Sequence, residues 1–236
     1  MRIAVLSDIH ANLPFAEAAV RRARKYGCDR ILHLGDAIDL GPWPAETLDY
    51  LIDEGVEMIR GNHDEYPVMG LTPRVDAELS PEVKEHMRWT AGQLRAEQHA
   101  LLAALPTTIA SRIDNWTVRF QHFLLDENRV SERMIDHDSD SLLTAFQVEQ
   151  GQILCFGHIH IRIWHFLRDR AVLNPGATGF AGPDGAWFAV LVVREASAWI
   201  EWHPVNAEQA LVVNELESRC VPGWESSVTY MFERVG

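Results

Sequence analysis

Three strand candidates near the start of the chain, the short apolar runs Ile3–Leu6 and Ile31–Leu34 and the segment Val56–Ile59, constrain the fold more than any other feature. Each is short and is stopped by a polar or glycine-containing cluster: Ser7-Asp8, Gly35-Asp36 and Gly61-Asn62-His63-Asp64. Runs of that length and abruptness predict strands buried on both faces. Between them, Pro14–Tyr26 and Pro44–Glu54 carry apolar and charged residues at helical spacing, and Gly27 and Gly55 stand where helices end. A β-α-β-α-β alternation predicts right-handed crossovers and parallel pairing.

Farther along, Pro81–Leu105 reads as a long amphipathic region of one or two helices, closed by Pro106. Trp116–Phe120, Ile153–Phe156, Ile163–Leu167, Ala171–Leu173, Trp187–Val193 and Ala198–His203 read as strands, and Ser139–Glu149 as a helix. The stretch from about 206 to 236 carries no assignable pattern, and the chain shows no internal repeat. The expected architecture is α/β, two β-rich layers with flanking helices. A length of 236 residues and a hydrophobic content of 47% are enough for one domain over 1–236. Within it, residues of about 78–105 would be a helical insertion placed to cover a site.

Five polar clusters each follow a predicted strand: Asp8-Ile9-His10, Gly35-Asp36, Gly61-Asn62-His63-Asp64, His122 and Gly157-His158-Ile159-His160. Carboxylate, imidazole and amide oxygen are the donors that borderline divalent metals take. In extended backbone, side chains at i and i+2 point the same way, so Asp8 with His10, and His158 with His160, can aim at one centre. Glycine before Asp36, Asn62 and His158 allows a tight turn with no Cβ in the way. A lone Asp-x-His is near noise in a chain with 11 histidines. An ordered set of five clusters at strand ends, where ligands gather in α/β sheets, is specific.

That order, Asp-x-His, Gly-Asp, Gly-Asn-His-Asp, His, Gly-His-x-His, resembles the signature of the calcineurin-like metallophosphoesterases. Ser7-Asp8-Ile9-His10-Ala11-Asn12, Gly41-Pro42, Arg60-Gly61-Asn62-His63-Asp64 and Asn174-Pro175-Gly176 are similar to a branch of small bacterial and archaeal phosphodiesterases. The resemblance implies a four-layer α/β/β/α fold and two metal ions. Asp8, His10 and His160 would hold one, Asn62, His122 and His158 the other, with Asp36 bridging and His63 acting as proton donor or phosphate contact. Two divalent ions about 3.5–4 Å apart clamp a phosphate, neutralise its charge and generate a bridging hydroxide that attacks phosphorus in line.

Two positions depart from close relatives. Phe123 stands where a glycine commonly follows the fourth-cluster histidine, so backbone approach there is expected to differ; His137, in a loop, is the poorer rival to His122. Asp39, three residues after Asp36, resembles the carboxylate that orients the proton-donating histidine in protein phosphatases. A solvated or helix-capping aspartate is the equal alternative. Leu40 stands where those phosphatases carry a phosphate-binding arginine, which weakens that assignment.

The expected function is a dinuclear metal-dependent hydrolase of phosphate esters or anhydrides. The substrate would be a phosphodiester or a small nucleotide such as a dinucleoside polyphosphate. The alternatives are a protein Ser/Thr phosphatase and a catalytically silent metal-binding scaffold for protein partners. Manganese, iron, zinc, cobalt and nickel all suit the donors. A net charge of -13 argues against binding duplex nucleic acid, which needs clustered Lys and Arg. Three widely spaced cysteines argue against a disulfide framework, and no apolar run is long enough for a leader or membrane span. A cytoplasmic protein is expected. The tryptophans, Trp43, Trp89, Trp116, Trp164 and Trp187 among them, are assigned to packing rather than nucleobase stacking. The charged residues of Glu78–Glu97 are assigned to a solvated helix face, and Asn174-Pro175-Gly176 to a turn.

Overall fold

The computed structural model describes residues 1–131, 133–195 and 197–233. The strands are β1 (Arg2–Leu6), β2 (Arg30–His33), β3 (Glu57–Met58), β4 (Thr108–Ile113), β5 (Trp116–Gln121), β6 (Leu125–Asp126), β7 (Arg129–Val130), β8 (Gln152–Cys155), β9 (Arg162–Leu167), β10 (Arg170–Pro175), β11 (Ala186–Arg194) and β12 (Ser197–Val205). The helices are α1 (Leu13–Lys25), α2 (Pro44–Asp53), α3 (Asn62–Met69), α4 (Pro73–Glu78), α5 (Pro81–Gln93), α6 (Ala96–Ala104), α7 (Ser139–Ala145), α8 (Gln209–Ser218) and α9 (Trp224–Val228), followed by a π-helical turn at Thr229–Glu233.

Two five-stranded sheets are formed, in the orders β12-β11-β1-β2-β3 and β4-β5-β8-β10-β9, with β6 and β7 a separate hairpin. As the alternation predicts, β1, β2 and β3 pair in parallel. The sheets pack face to face. Ile3 and Val5 of β1 and Ala189, Leu191 and Val193 of β11 meet Val118, Phe120, Ile153 and Leu173 of the other sheet in one apolar layer. The alternate residues, Ala4, Leu6, Phe188, Val190 and Val192, turn to the opposite face and meet α1, α2 and α8. Period-two alternation with both faces buried is why these strands read as unbroken apolar runs. On the far side of the second sheet, Leu154, Phe156 and Val172 pack against Leu142 and Leu143 of α7. The layers are therefore α/β/β/α.

Strand register sets the site. Leu6 lies opposite His33, and His33 opposite Met58, so the segments leaving β1, β2 and β3 emerge at one edge. In the second sheet Phe120 faces Cys155 and Cys155 faces Leu173, which brings the ends of β5, β8 and β10 to the same place. Backbone bonds stitch the exits together: Asp8 N–H to Gly35 O at 3.1 Å, His10 N–H to Asp36 O at 2.9 Å and Gly157 N–H to His122 O at 2.8 Å.

Several boundaries differ from expectation. The third strand is only two residues long, and α7 stops at Ala145 instead of Glu149, because Gln147 takes a left-handed φ of 50°. The long helical region, expected as one or two helices, is two, divided at Leu94-Arg95, where the Gln98 side chain accepts the Arg95 N–H. The segment after 206 is helical, contrary to its unpatterned sequence: α8 buries only Val212 and Leu216.

Candidate metal centre and its surroundings

Every candidate metal donor sits just past a strand or at a helix start, and five of the seven occupy left-handed backbone. Asp8 (φ 54°), His10 (51°), Asp36 (59°), His158 (71°) and His160 (58°) all do so without being glycine. This corrects the expectation that Asp8–His10 and His158–His160 converge through extended i, i+2 geometry. They do converge, but through sharp left-handed turns, a conformation that collects at functional sites because it disfavours ordinary packing.

Two donor groups result: Asp8, His10 and His160 form one, and Asp36, His122 and His158 the other, with the donor atoms of each within 4.8 Å of one another. In the first, Asp8 Oδ1 lies 3.2 Å from His160 Nε2 and 3.9 Å from His10 Nε2. In the second, Asn62 Oδ1 lies 3.1 Å from His122 Nε2 and 3.0 Å from His158 Nδ1. Asp36 Oδ2 belongs to both, 3.2 Å from His122 Nε2 and 3.8 Å from His10 Nε2. Ligand atoms around an ion bound at about 2.1 Å stand about 3–3.4 Å apart, so the spacing suits divalent ions with little adjustment. Both ring nitrogens of His10 are buried with no hydrogen-bond partner, which an imidazole awaiting a metal explains.

The donors are aimed by a second layer of bonds. Each carboxylate spends one oxygen on the backbone and turns the other inward: Asp8 Oδ2 accepts from His158 N–H at 3.2 Å, and Asp36 Oδ1 from His63 N–H at 2.9 Å. The His122 Nδ1–H donates to Leu34 O at 2.7 Å, which fixes Nε2 as its free donor atom. Burial pushes His10 and His158 down to about 3, leaving the neutral imidazoles that metal ligation requires. Burial opposes a charge on His122 as well, but the Asp36 carboxylate outweighs it and holds the pKa up at about 10.

Two positioning residues lay inside motifs the sequence showed, yet their role was missed. Buried Asp64 accepts four backbone N–H groups, from Asp36 (2.7 Å) and Gly61 (2.9 Å) on Oδ2 and from Ala37 (2.9 Å) and Ile38 (3.3 Å) on Oδ1. It clamps the turn after β2 to the start of α3. Asn174, first of the Asn-Pro-Gly turn, donates to Gly157 O at 2.7 Å and accepts from Gly176 N–H at 2.9 Å. The glycines serve close approach more than turning: a Cβ on Gly61 would collide with the Asp36 backbone and carboxylate, and one on Gly157 with the Ser7 hydroxyl.

Beside the two groups, the His63 ring stands edge-on to His10 with centroids 4.9 Å apart. Its Nδ1 is 2.6 Å from Asp39 Oδ2, so Nε2 is left to face outward. Burial lowers the His63 pKa, but Asp36 and the Asp39 bond prevail and raise it to about 9. Asp39 itself is buried and not a solvated cap. Its other oxygen accepts from Thr90 Oγ1 at 3.0 Å and lies 3.1 Å from His86 Nε2. His86 accepts the Leu40 N–H at Nε2 (2.9 Å) and bonds Pro222 O through Nδ1 (2.8 Å). Both Thr90 and His86 belong to the helix whose charges read as a solvated face. At the other departure, Phe123 lays its ring over His158, centroids 4.5 Å apart. His137 joins neither donor group among the described residues. Trp43 and Trp116 are buried, whereas Trp187 is capped by the Arg162 guanidinium at 4.1 Å.

Fold and site together define a class, the α/β/β/α phosphoesterases that work with divalent metals. The chain belongs to the calcineurin-like phosphoesterase superfamily, whose domain model matches residues 1–196. It is similar to a metallophosphoesterase of Sphaerobacter thermophilus, with 25% identity, 98% of both chains covered and a TM-score of 0.74. A hypothetical protein of Pyrococcus horikoshii OT3 shares the fold at a TM-score of 0.82, with 19% identity over 98% of both chains. An uncharacterized protein of Methanocaldococcus jannaschii is 28% identical over 174 residues, 74% of this chain and 68% of its own length. The protein is a metal-dependent phosphoesterase of this superfamily, as its polar clusters led one to expect.

Proposed function

We propose that the protein hydrolyses phosphodiesters, or small nucleotides such as dinucleoside polyphosphates, on a dinuclear metal centre. Asp8, His10 and His160 would hold one ion, Asn62, His122 and His158 the other, and Asp36 both. The observation that carries this is Asp36 Oδ2, which lies within 4 Å of a histidine nitrogen from each donor group. Divalent ions there, whether manganese, iron, zinc, cobalt or nickel, would supply charge neutralisation of the phosphoryl group and activation of water at neutral pH. His63 would give the proton on Nε2 to the departing oxygen, with Asp39, 2.6 Å from its Nδ1, holding the ring for that task. Asp64 and Asn174 keep the turns that carry the donors in register.

A preference for diesters is supported by two cavities that flank the centre. One, of 530 Å³, touches His63; the other, of 420 Å³, touches His160; Tyr230 lines both. A phosphodiester has two organic substituents to house, and a monoester one. The Asp39–His63 pair favours protein Ser/Thr phosphatase activity as a second reading, but Leu40 beside it offers no cation for a phosphorylated chain. A silent scaffold is the weaker alternative, because the donor set is complete. A cytoplasmic location belongs to the same proposal; among the described residues no helix is long and apolar enough to cross a membrane.

The test is hydrolysis of bis-p-nitrophenyl phosphate and p-nitrophenyl phosphate by protein stripped of metal and resupplied with manganese. Restored turnover favouring the diester supports the reading, and Asp36→Asn should abolish it while lowering bound manganese. Two manganese ions bound with no turnover of either ester would sink the substrate assignment.

A further inference from the structure

The cavity beside His63 is built from parts of the chain that the metal centre does not use. One wall is the helical insertion, through Leu79 and Val83; the other is the C-terminal segment, through Pro222 and Ser226. The two walls are fixed to each other. His86 of α5 bonds Pro222 O at 2.8 Å, and a Cβ added at Gly223 (φ 67°) would meet the Glu82 carboxylate at 2.9 Å. His63 closes the inner end with a quarter of its side chain still exposed. A group held here is therefore in reach of the imidazole that faces the departing oxygen.

The chemistry of the lining is selective. Leu40, Leu79, Val83 and Pro222 offer apolar surface; the acidic side chains are Glu82 and Asp39, and the two imidazoles, His63 and His86, are both held against Asp39 at 2.6 and 3.1 Å. Among the described residues no lysine or arginine lines the cavity. A second phosphate placed there would stand near the Glu82 carboxylate with no unpaired cation to neutralise it, because both imidazoles are already bonded to Asp39. An uncharged aryl or alkyl group would instead bury apolar area against the two walls.

We infer that this cavity receives the leaving group, and that the leaving group is an uncharged, partly apolar alcohol and not a polyphosphate. The inference rests on the hydrolase reading above and narrows it. Hydrolysis adds water across the bond: its oxygen joins phosphorus, the bond to the leaving oxygen breaks, and that oxygen takes up a proton by way of His63. The products are a phosphate monoester and a neutral alcohol, and the alcohol departs through the gap between the insertion and the C-terminal segment.

Val83 and Ser226 are exposed and approach the cavity from opposite walls, so Val83→Trp and Ser226→Trp narrow it without touching the core. With manganese-loaded enzyme, each should lower kcat/KM for bis-p-nitrophenyl phosphate by about tenfold, chiefly through KM, as loss of a pocket for one substituent does. Inhibition by inorganic phosphate, which needs only the metals, should stay at its wild-type constant and reports that the centre is intact. Wild type should prefer bis-p-nitrophenyl phosphate to diadenosine tetraphosphate, and Glu82→Lys should shrink that preference by about tenfold through charge reversal near the added phosphates. Wild-type kcat/KM in both tryptophan variants, or a wild-type preference for the tetraphosphate, overturns the inference and leaves the hydrolase standing. Manganese-loaded wild type that cleaves neither compound overturns the proposed substrate assignment and the inference with it.

Discussion

At Gly61 an added methyl group has nowhere to go. Its Cβ would stand 2.5 Å from the Asp36 backbone nitrogen and 2.9 Å from the Asp36 carboxylate carbon. The Gly61 backbone itself (φ -100°, ψ 178°) is open to alanine, so conformational strain plays no part. Stiffening the unfolded chain favours alanine by about 0.4–1 kcal/mol. Against that, the turn after β2 must retreat by about 1 Å, which overpacking of this kind charges at about 1–3 kcal/mol. The same retreat stretches two bonds, His63 N–H to Asp36 Oδ1 and Gly61 N–H to Asp64 Oδ2, both now 2.9 Å. Each is worth about 1 kcal/mol or more. The steric side wins, and Gly61→Ala should lose about 3 kcal/mol, or about 6–12 °C in Tm for a chain of this length. Gly92 in α5 is the internal control, since a Cβ there meets nothing within 4 Å. Gly92→Ala should gain about 0.5–1 kcal/mol from helix propensity. Thermal melts of metal-free protein by circular dichroism, with bound manganese counted after dialysis, read both effects. A Gly61→Ala protein that melts with wild type and keeps two manganese ions would show that the crowding at the strand ends is not what sets the site.

His63→Gln should keep both metal ions yet lose far more kcat on an alkyl diester than on a p-nitrophenyl ester, whose leaving group needs no proton; equal losses on the two would remove His63 as proton donor. Asp64→Asn exchanges an acceptor oxygen for a donor facing two backbone N–H groups, and charge-assisted bonds of this kind are worth about 1.5–3 kcal/mol each. Its urea midpoint should fall by an amount equivalent to about 3–5 kcal/mol; an unchanged midpoint would show that the clamp adds nothing. Burial pushes the Cys155 thiol well above its ordinary pKa, and its side chain is inaccessible, whereas Cys220 is exposed. A chromogenic disulfide should therefore titrate Cys220 promptly in the native protein and Cys155 only after denaturation, and prompt reaction in a Cys28→Ser/Cys220→Ser variant, where only Cys155 remains, would contradict the packing between the sheets.

The parts of the site that could be read from the sequence were those that follow a strand directly. Asp8, Asp36, His122 and His158 stand at the ends of apolar runs, and a strand end fixes where its next residue goes. The reason offered for their convergence was wrong, because left-handed turns leave no periodic trace. The supporting residues were illegible for a different reason. His86 and Thr90 reach Asp39 from about fifty residues away, on a helix whose charged residues read as a solvated face. A buried polar residue in such a helix looks like any exposed one until its partner is known. The C-terminal helices bury few apolar side chains apiece, so they carry too little periodicity to announce themselves.

The left-handed residues of the centre set stability against activity. Each of Asp8, His10, Asp36, His158 and His160 holds a backbone conformation that costs an ordinary L-residue about 1–2 kcal/mol, and that glycine adopts freely. A library of this protein screened for heat resistance alone would thus be drawn towards glycine at the very positions proposed to hold the ions. Its most durable members would be inert. Screening for retained metal has to accompany any attempt to harden this fold.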